Sequence, residues 1–296
     1  MDTTERHRSG FVNIIGNPNV GKSTLMNALI GQKLSIITSK AQTTRNRIHG
    51  IINADHYQVI FSDTPGILSP NYKLQENMRK TALGAFADAD ILLYITDVFE
   101  AVEPDPAVAS KIQRARVPVI LVMNKIDLSS QEKLESLQSA WMAVFPKATF
   151  IPVSAKENFN TGNLFSLILQ HLPESPPFYP KDMLTDKSER FFAAEILREK
   201  ILLNYDKEIP YAVEIEIEEF IEEGNLNRIR AIIYAERDSQ KGILIGARGA
   251  ALKKTGTMSR LEMEQFFGKK VFLEIVVKLK KDWRNNEQSL RKFGYH

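Results

Sequence analysis

The residues best suited to chemistry lie in four short runs, and the first is GNPNVGKS, Gly16 to Ser23. It matches G-x-x-x-x-G-K-S, a phosphate-binding loop when a strand precedes it and a helix follows. Gly16 and Gly21 let Asn17, Pro18, Asn19 and Val20 curl so that backbone N–H groups face phosphate oxygens. A helix opening near Lys22 adds the positive end of its dipole. Lys22 then reaches the β- and γ-phosphates and Ser23 gives a hydroxyl to Mg2+, with Thr24 beside it in the same nucleotide-binding set. The second run, DTPG, is Asp63, Thr64, Pro65 and Gly66. Asp63 can hold the Mg2+ shell, and Gly66 can offer its N–H to a γ-phosphate because nothing projects from its Cα.

The other two runs choose the base. In NKID, Asn124 to Asp127, the Asp127 carboxylate can accept from N1–H and the 2-amino group of guanine, donors that adenine lacks there. In SAK, Ser154, Ala155 and Lys156, backbone N–H groups can serve guanine O6. Together these predict a site for GTP and GDP.

Such residues need a rigid frame. Apolar runs at 11–15, 47–52, 57–63, 90–97, 117–124 and 148–154 read as strands, with amphipathic helical stretches between most of them. Strands 47–52 and 57–63 are separated only by NADH, a hairpin connection. The expectation is a doubly wound α/β domain, a mostly parallel sheet with one antiparallel strand, whose four runs sit at the carboxyl ends of strands where open sheets bind ligands. The stretch LPESPPFYPKD at 172–182 holds four of the thirteen prolines, so neither helix nor central strand passes through it. It divides the chain into domain 1–172, linker 173–184 and domain 185–296.

After the linker the order is helix, two strands, short helix, long helix, strand, an α+β pattern. In VEIEIE, Val213, Ile215 and Ile217 alternate with Glu214, Glu216 and Glu218, which predicts one set in a core and the other in water. Between the short and long helices lies GARG, Gly246, Ala247, Arg248 and Gly249, followed by Lys253 and Lys254. A G-x-x-G turn between helices in this order is that of a type II KH fold, which clamps about four backbone nucleotides of single-stranded RNA. The charge agrees. The chain carries 39 basic and 36 acidic residues, net +3. That near-neutral sum divides into +1 for residues 1–180, −6 for 181–236 and +8 for 237–296.

The nucleotide runs resemble those of the translation-factor-like GTPases. The resemblance implies that Asn124, Lys125 and Asp127 read guanine and that a threonine of the loop 33–47, Thr44 with Thr43 beside it, ligates Mg2+. Lys22, Thr44 and Gly66 are then the catalytic set, and Ser23, Thr44 and Asp63 the Mg2+ set. Where Ras-like enzymes carry a glutamine to orient water, this chain has Ile67. The subgroup with a hydrophobic residue there often uses K+ in place of an arginine finger, and its P-loop asparagine matches Asn19.

GTPase domain, proline-rich linker and KH domain together resemble the Era family of bacterial ribosome-assembly GTPases. That implies binding of 16S ribosomal RNA near its 3′ end, a role in small-ribosomal-subunit maturation, and a monomer. It also implies a cytoplasmic location with peripheral association at the inner membrane, which the basic C-terminal segment with Trp283 and Phe293 permits. The alternatives are an RNA-binding module or chaperone with negligible turnover, or a GTPase acting on a protein or membrane partner.

The absence of cysteine excludes disulfides, thiolate metal sites and a cysteine nucleophile. The N-terminus lacks the apolar core of a secretory signal. The apolar runs at 91–95 and 117–123 fall far short of the ~20 residues of a membrane helix.

Overall fold

The apolar runs of the first part form six strands: β1 (Arg8–Gly16), β2 (Ile48–Asn53), β3 (Tyr57–Asp63), β4 (Ile91–Asp97), β5 (Val119–Asn124) and β6 (Thr149–Pro152). Their order in the sheet is β2-β3-β1-β4-β5-β6. Only β2 runs antiparallel, paired with β3 across the short turn; β3, β1, β4, β5 and β6 are parallel. The computed structural model describes residues 7–295. They form two units, one of residues up to Ser35, Thr44–Pro70 and Met78–Asp186, the other of Ile36–Thr43, Asn71–Asn77 and Lys187 onward.

Five helices belong to this series: α1 (Lys22–Ile30), α2 (Lys73–Gly84), α3 (Pro106–Gln113), α4 (Gln131–Val144) and α5 (Thr161–His171). Strand residues alternate between two faces. Ile15, Leu92, Tyr94, Leu121 and Met123 pack with Val108 and Ile112 of α3 and with Trp141 of α4. The other face is met by α1, which packs on β1, β2, β3 and α5. Local capping sets where helices start: the Asp105 carboxylate accepts from the N–H groups of Ala107 and Val108, with Pro106 in the first turn.

The proline-rich stretch is stitched to the first unit. Ser9 N–H donates to Pro173 O at 3.1 Å. The buried Gln58 accepts from the N–H groups of Phe178 and Tyr179 at 2.7 and 2.9 Å and donates to Tyr179 O at 2.8 Å. Farther along, Ile51 N–H donates to Leu184 O at 2.8 Å and Thr185 Oγ1 to His49 O at 2.7 Å. The prolines thus serve an extended strand-like path along the sheet, for which their fixed φ is suited.

The second unit contains α6 (Glu189–Asn204), β7 (Val213–Glu223), β8 (Leu226–Ala235), α7 (Asp238–Ile245), α8 (Ala250–Phe267), β9 (Lys270–Leu279) and α9 (Glu287–Lys292). The sheet order is β7-β8-β9, with β7 antiparallel and β9 parallel to β8. Ile196, Leu197 and Ile201 of α6, Leu244 of α7 and Met263 of α8 bury Val213, Ile215, Ile229, Ile233 and Val277 of the sheet.

Two expectations need correction here. The glutamates of β7 do not face water throughout. Glu214 is buried and accepts from Tyr295 Oη at 2.9 Å, and Glu216 accepts from Tyr234 Oη at 2.7 Å and pairs with Lys292 of α9 at 3.4 Å. Trp283 is not a surface anchor. It is fully buried, donates Nε1–H to Ala212 O at 3.0 Å and meets the Phe293 ring edge-on. The charge of the C-terminal segment masked a packing element, α9 with its flanking aromatics, that closes the Glu face. No helix among the described residues is long and apolar enough to cross a membrane.

Candidate nucleotide and RNA sites

Strands β1, β3, β5 and β6 end where the four runs begin, so their loops meet at one rim of the sheet. Ser23 Oγ donates to Asp63 Oδ2 at 2.6 Å and lies 2.9 Å from Thr44 Oγ1, which reaches the same carboxylate oxygen at 3.2 Å. Asp63 Oδ1 is buried with no hydrogen-bond partner. Two hydroxyls and a carboxylate with an orphaned oxygen suit a hard cation such as Mg2+. No cluster of three His, Cys, Asp or Glu exists among the described residues.

Burial drives the electrostatics. It raises the Asp63 pKa above its usual value, against the hydrogen bond from Ser23 and the charge of Lys22. It lowers Lys22 to about 8, opposed by Asp63 and Glu100. Lys22 Nζ donates to Asn17 O at 2.7 Å, the P-loop's own carbonyl standing in for a phosphate oxygen. A bound polyphosphate would add its negative charge to that of Asp63 and Glu100 and offset more of the cost of burying the ammonium.

Gly66 abuts the P-loop. A Cβ there would lie 2.8 Å from Pro18 N and Pro18 Cα, and Ile67 N–H donates to Gly16 O at 3.2 Å. The Ile67 side chain turns into the core beside Ile15 and Ala82. Thr64 Oγ1 donates to Ile14 O at 2.7 Å, fixing the strand end, and Pro65 is buried.

Asn124 staples three loops. Its Nδ2 donates to Val20 O at 2.8 Å, and its Oδ1 accepts from Ala155 N–H at 3.0 Å. Both ends of the amide, and the N–H expected for guanine O6, are thus engaged within the protein. Lys125 Nζ reaches Asn19 O at 2.7 Å and the buried Asp97 carboxylate at 2.5 Å. Asp127 accepts from Ser154 Oγ at 2.6 Å through Oδ1. Lys156 stands apart, its side chain 82% exposed and 3.4 Å from Glu157. Thr43 Oγ1 donates to Lys40 O at 2.6 Å.

Sequence reasoning missed the end of β4. Asp97 holds Lys125, and Glu100, which accepts from Thr96 Oγ1 at 2.8 Å, stands near enough to Lys22 to raise its pKa. No motif flags these two, because their partners come from other loops.

In the second unit Gly246, Ala247, Arg248 and Gly249 form a tight turn between α7 and α8. Gly246 and Gly249 have φ of 72° and 78°, and Arg248 is held at 50° with its side chain exposed. Behind it lies a groove of about 410 Å³ between α8 and β9, lined by Gly249, Leu252, Lys253, Gly256, Thr257, Arg260, Leu273 and Ile275. Lys253 faces this groove; Lys254, one residue on around the helix, is not among its lining.

Comparison with known proteins agrees with both halves. Residues 11–125 match a family described as 50S ribosome-binding GTPase, and residues 208–284 match the KH domain family. The GTPase Era of Syntrophus aciditrophicus is 48% identical over 292 residues, 98% of this chain and 95% of that protein. A point variant of Aquifex aeolicus Era, solved with GDP and AlF4−, superposes with a TM-score of 0.92 at 37% identity, over 97% of this chain and 99% of that one. A structure of Era with MgGDPNP and nucleotides 1506–1542 of 16S ribosomal RNA gives a TM-score of 0.92 at 37% identity, over 98% and 99%. With the nucleotide rim, the KH turn and full-length similarity in agreement, this chain belongs to the Era family of GTPases.

Proposed function

We propose that this GTPase lets its nucleotide state govern binding of single-stranded RNA, and that its RNA is 16S ribosomal RNA near the 3′ end, during small-subunit assembly. The observation that carries the reading is the joint presence of the Ser23–Thr44–Asp63 cluster and the groove behind G-x-x-G. Both occur in a chain that matches, over 98% of its length, an Era solved with MgGDPNP and 16S nucleotides.

At the rim, Lys22 leaves Asn17 O for the β- and γ-phosphates, and the Gly66 N–H meets the γ-phosphate. Ser23 and Thr44 hold Mg2+ through their hydroxyls, with Asp63 behind them. Held by these residues, Mg2+ would supply positive charge against that developing on the transferred group. Asp127 turns its second oxygen to the guanine donors, while Asn124 keeps the P-loop and the SAK loop in register. Because the Ile67 side chain is packed in the core, backbone groups would position the attacking water, and K+ held by Asn19 would supply the charge of an arginine finger. Equal turnover in Na+ and K+ buffers counts against that K+ role.

Loss of the γ-phosphate frees Thr44 and Gly66 from their common anchor, as in other order–disorder switches. The protein works as a monomer in the cytoplasm; with Trp283 in the core, the peripheral-membrane reading rests only on the basic charge of residues 280–292.

The test is crosslinking to total cellular RNA with GDPNP or GDP bound. Enrichment of the small-subunit RNA 3′ region with GDPNP over GDP is expected. Equal recovery in both states refutes the switch, and recovery without enrichment refutes the substrate.

A further inference from the structure

The G-x-x-G turn holds backbone phosphates, and phosphate contacts carry no sequence information. Selection among RNAs must therefore act along the groove behind the turn. One stripe of α8 lines that groove: Gly249, Leu252, Lys253, Gly256, Thr257 and Arg260. Every four residues advance the helix by ~6 Å, close to the step of an extended single strand, so the stripe offers about one contact for each base.

Most of those contacts discriminate little. Leu252, Leu273 and Ile275 form an apolar floor that accepts any base face. Lys253 ends in an exposed ammonium, a compact charge suited to phosphate. Thr257 donates its one hydroxyl proton to Lys253 O at 2.9 Å. Arg260 differs. Its Nη1 pairs with Glu264 Oε1 at 2.8 Å, and the same oxygen accepts from Val271 N–H of β9 at 3.1 Å. The guanidinium is clamped from behind by a carboxylate that is itself fixed to the sheet. Arginine has five donors in a rigid fork, so this clamp leaves a second edge to present to the groove.

We propose that Arg260 is the base-specificity residue of the groove, and that it selects a base with two adjacent acceptors on one edge. Guanine offers O6 and N7 and cytosine offers O2 and N3; adenine and uracil interpose a donor. The selected base lies at the end of the groove remote from the turn, ~16 Å along the helix from Gly249. The inference rests on the RNA reading above and adds to it a residue, a position and a base class.

The test uses the full-length protein and a panel of short fluorescent single strands, varied one position at a time, against wild type, Arg260→Lys and Glu264→Gln. Wild type is expected to favour guanine or cytosine about tenfold at one position. The lysine variant keeps the charge, the melting temperature and the preferences elsewhere, but treats all four bases alike at that position. Glu264→Gln blunts the preference only partly, because the fork remains but is less well held. A lysine variant with wild-type preference overturns the proposal, as does a wild type with no preference for guanine or cytosine at any position. If wild type binds none of the strands, the RNA reading itself fails, a result distinct from both.

Discussion

The nucleotide rim and the RNA groove solve opposite problems. At the rim, Lys22, Thr44, Asp63 and Asn124 are all buried, and side chains from different loops bond to each other before any ligand arrives. In the groove, Lys253 and Thr257 are exposed, and one helix stripe faces one strand. A small, highly charged ligand must be surrounded to be recognised, and its phosphates must find donors already in place. A strand of RNA need only be laid along a surface, held by its backbone and read at its bases. The contrast predicts steep, all-or-none losses at the rim and graded ones in the groove.

The largest expected effect is at Lys22. Lys22→Met should lower kcat/KM for GTP about a thousandfold, measured by phosphate release. It should also raise the melting temperature of the nucleotide- and Mg2+-free protein. The folded-state pKa is lowered to about 8 from 10.5 by burial, so the folded chain disfavours the charged lysine that the unfolded chain keeps. The stabilisation by methionine is therefore full below pH ~8 and fades as pH rises towards 10.5. A variant that melts lower than wild type at pH 7 would show that the burial cost has been misjudged.

Next comes Gly66. A methyl there meets backbone atoms of Pro18 at 2.8 Å, and backbone of a phosphate loop cannot yield without displacing its N–H groups. Gly66→Ala should cost about a hundredfold in kcat, the usual result of a misplacement near 1 Å. Steady-state hydrolysis within a fewfold of wild type would break the idea that the rim is rigid.

The groove should respond more gently. Changing both Ala247 and Arg248 to Asp puts two negative charges in an exposed turn. Affinity for single-stranded RNA should fall at least tenfold at low salt, and its salt dependence should flatten. GTP turnover without RNA should be unchanged. Unaltered RNA affinity in a binding titration would remove the turn from the interface.

The same contrast decides what the sequence could reveal. GNPNVGKS, DTPG, NKID and SAK are contiguous because each supplies several atoms to one small ligand, and strand and helix patterns on either side place them. Thr44 was preferred to its neighbour Thr43 from the sequence, and the fold adds the contacts with Ser23 and Asp63 that no loop pattern could show. Asp97 and Glu100 were invisible because each matters through a lysine from another loop. In the second unit the turn Gly246–Gly249, the lysines Lys253 and Lys254 and the basic charge around them stood out. Leu252, Gly256, Thr257 and Arg260 look like any half-exposed helix face, and Leu273 and Ile275 look like core. That they face each other across an open groove is a fact of tertiary packing. The C-terminal segment misled for the opposite reason: its lysines and arginines are conspicuous, whereas Trp283, Leu290 and Tyr295, which do the packing, are few.

Gly256 makes the smallest and most discriminating test, because it is the groove's counterpart of Gly66. A Cβ at 256 would lie 3.0 Å from Ile275 Cδ1, the mobile end of a side chain rather than backbone. The isoleucine can rotate aside at small cost, and alanine in a helix interior gains about 1 kcal/mol over glycine. Gly256→Ala should therefore raise the melting temperature by roughly 2–4 °C. The added methyl also narrows the middle of the groove, so RNA affinity should fall about threefold, the loss of less than one buried methylene-equivalent contact. Stability and binding would then move in opposite directions at one atom, as they do where a position is kept for function rather than for folding. A variant that gains stability and binds RNA as well as wild type would show that strands do not run over Gly256. One that loses stability would show that the strand of Ile275 is as unyielding as the loop of Pro18, and the distinction between rim and groove would narrow to charge alone.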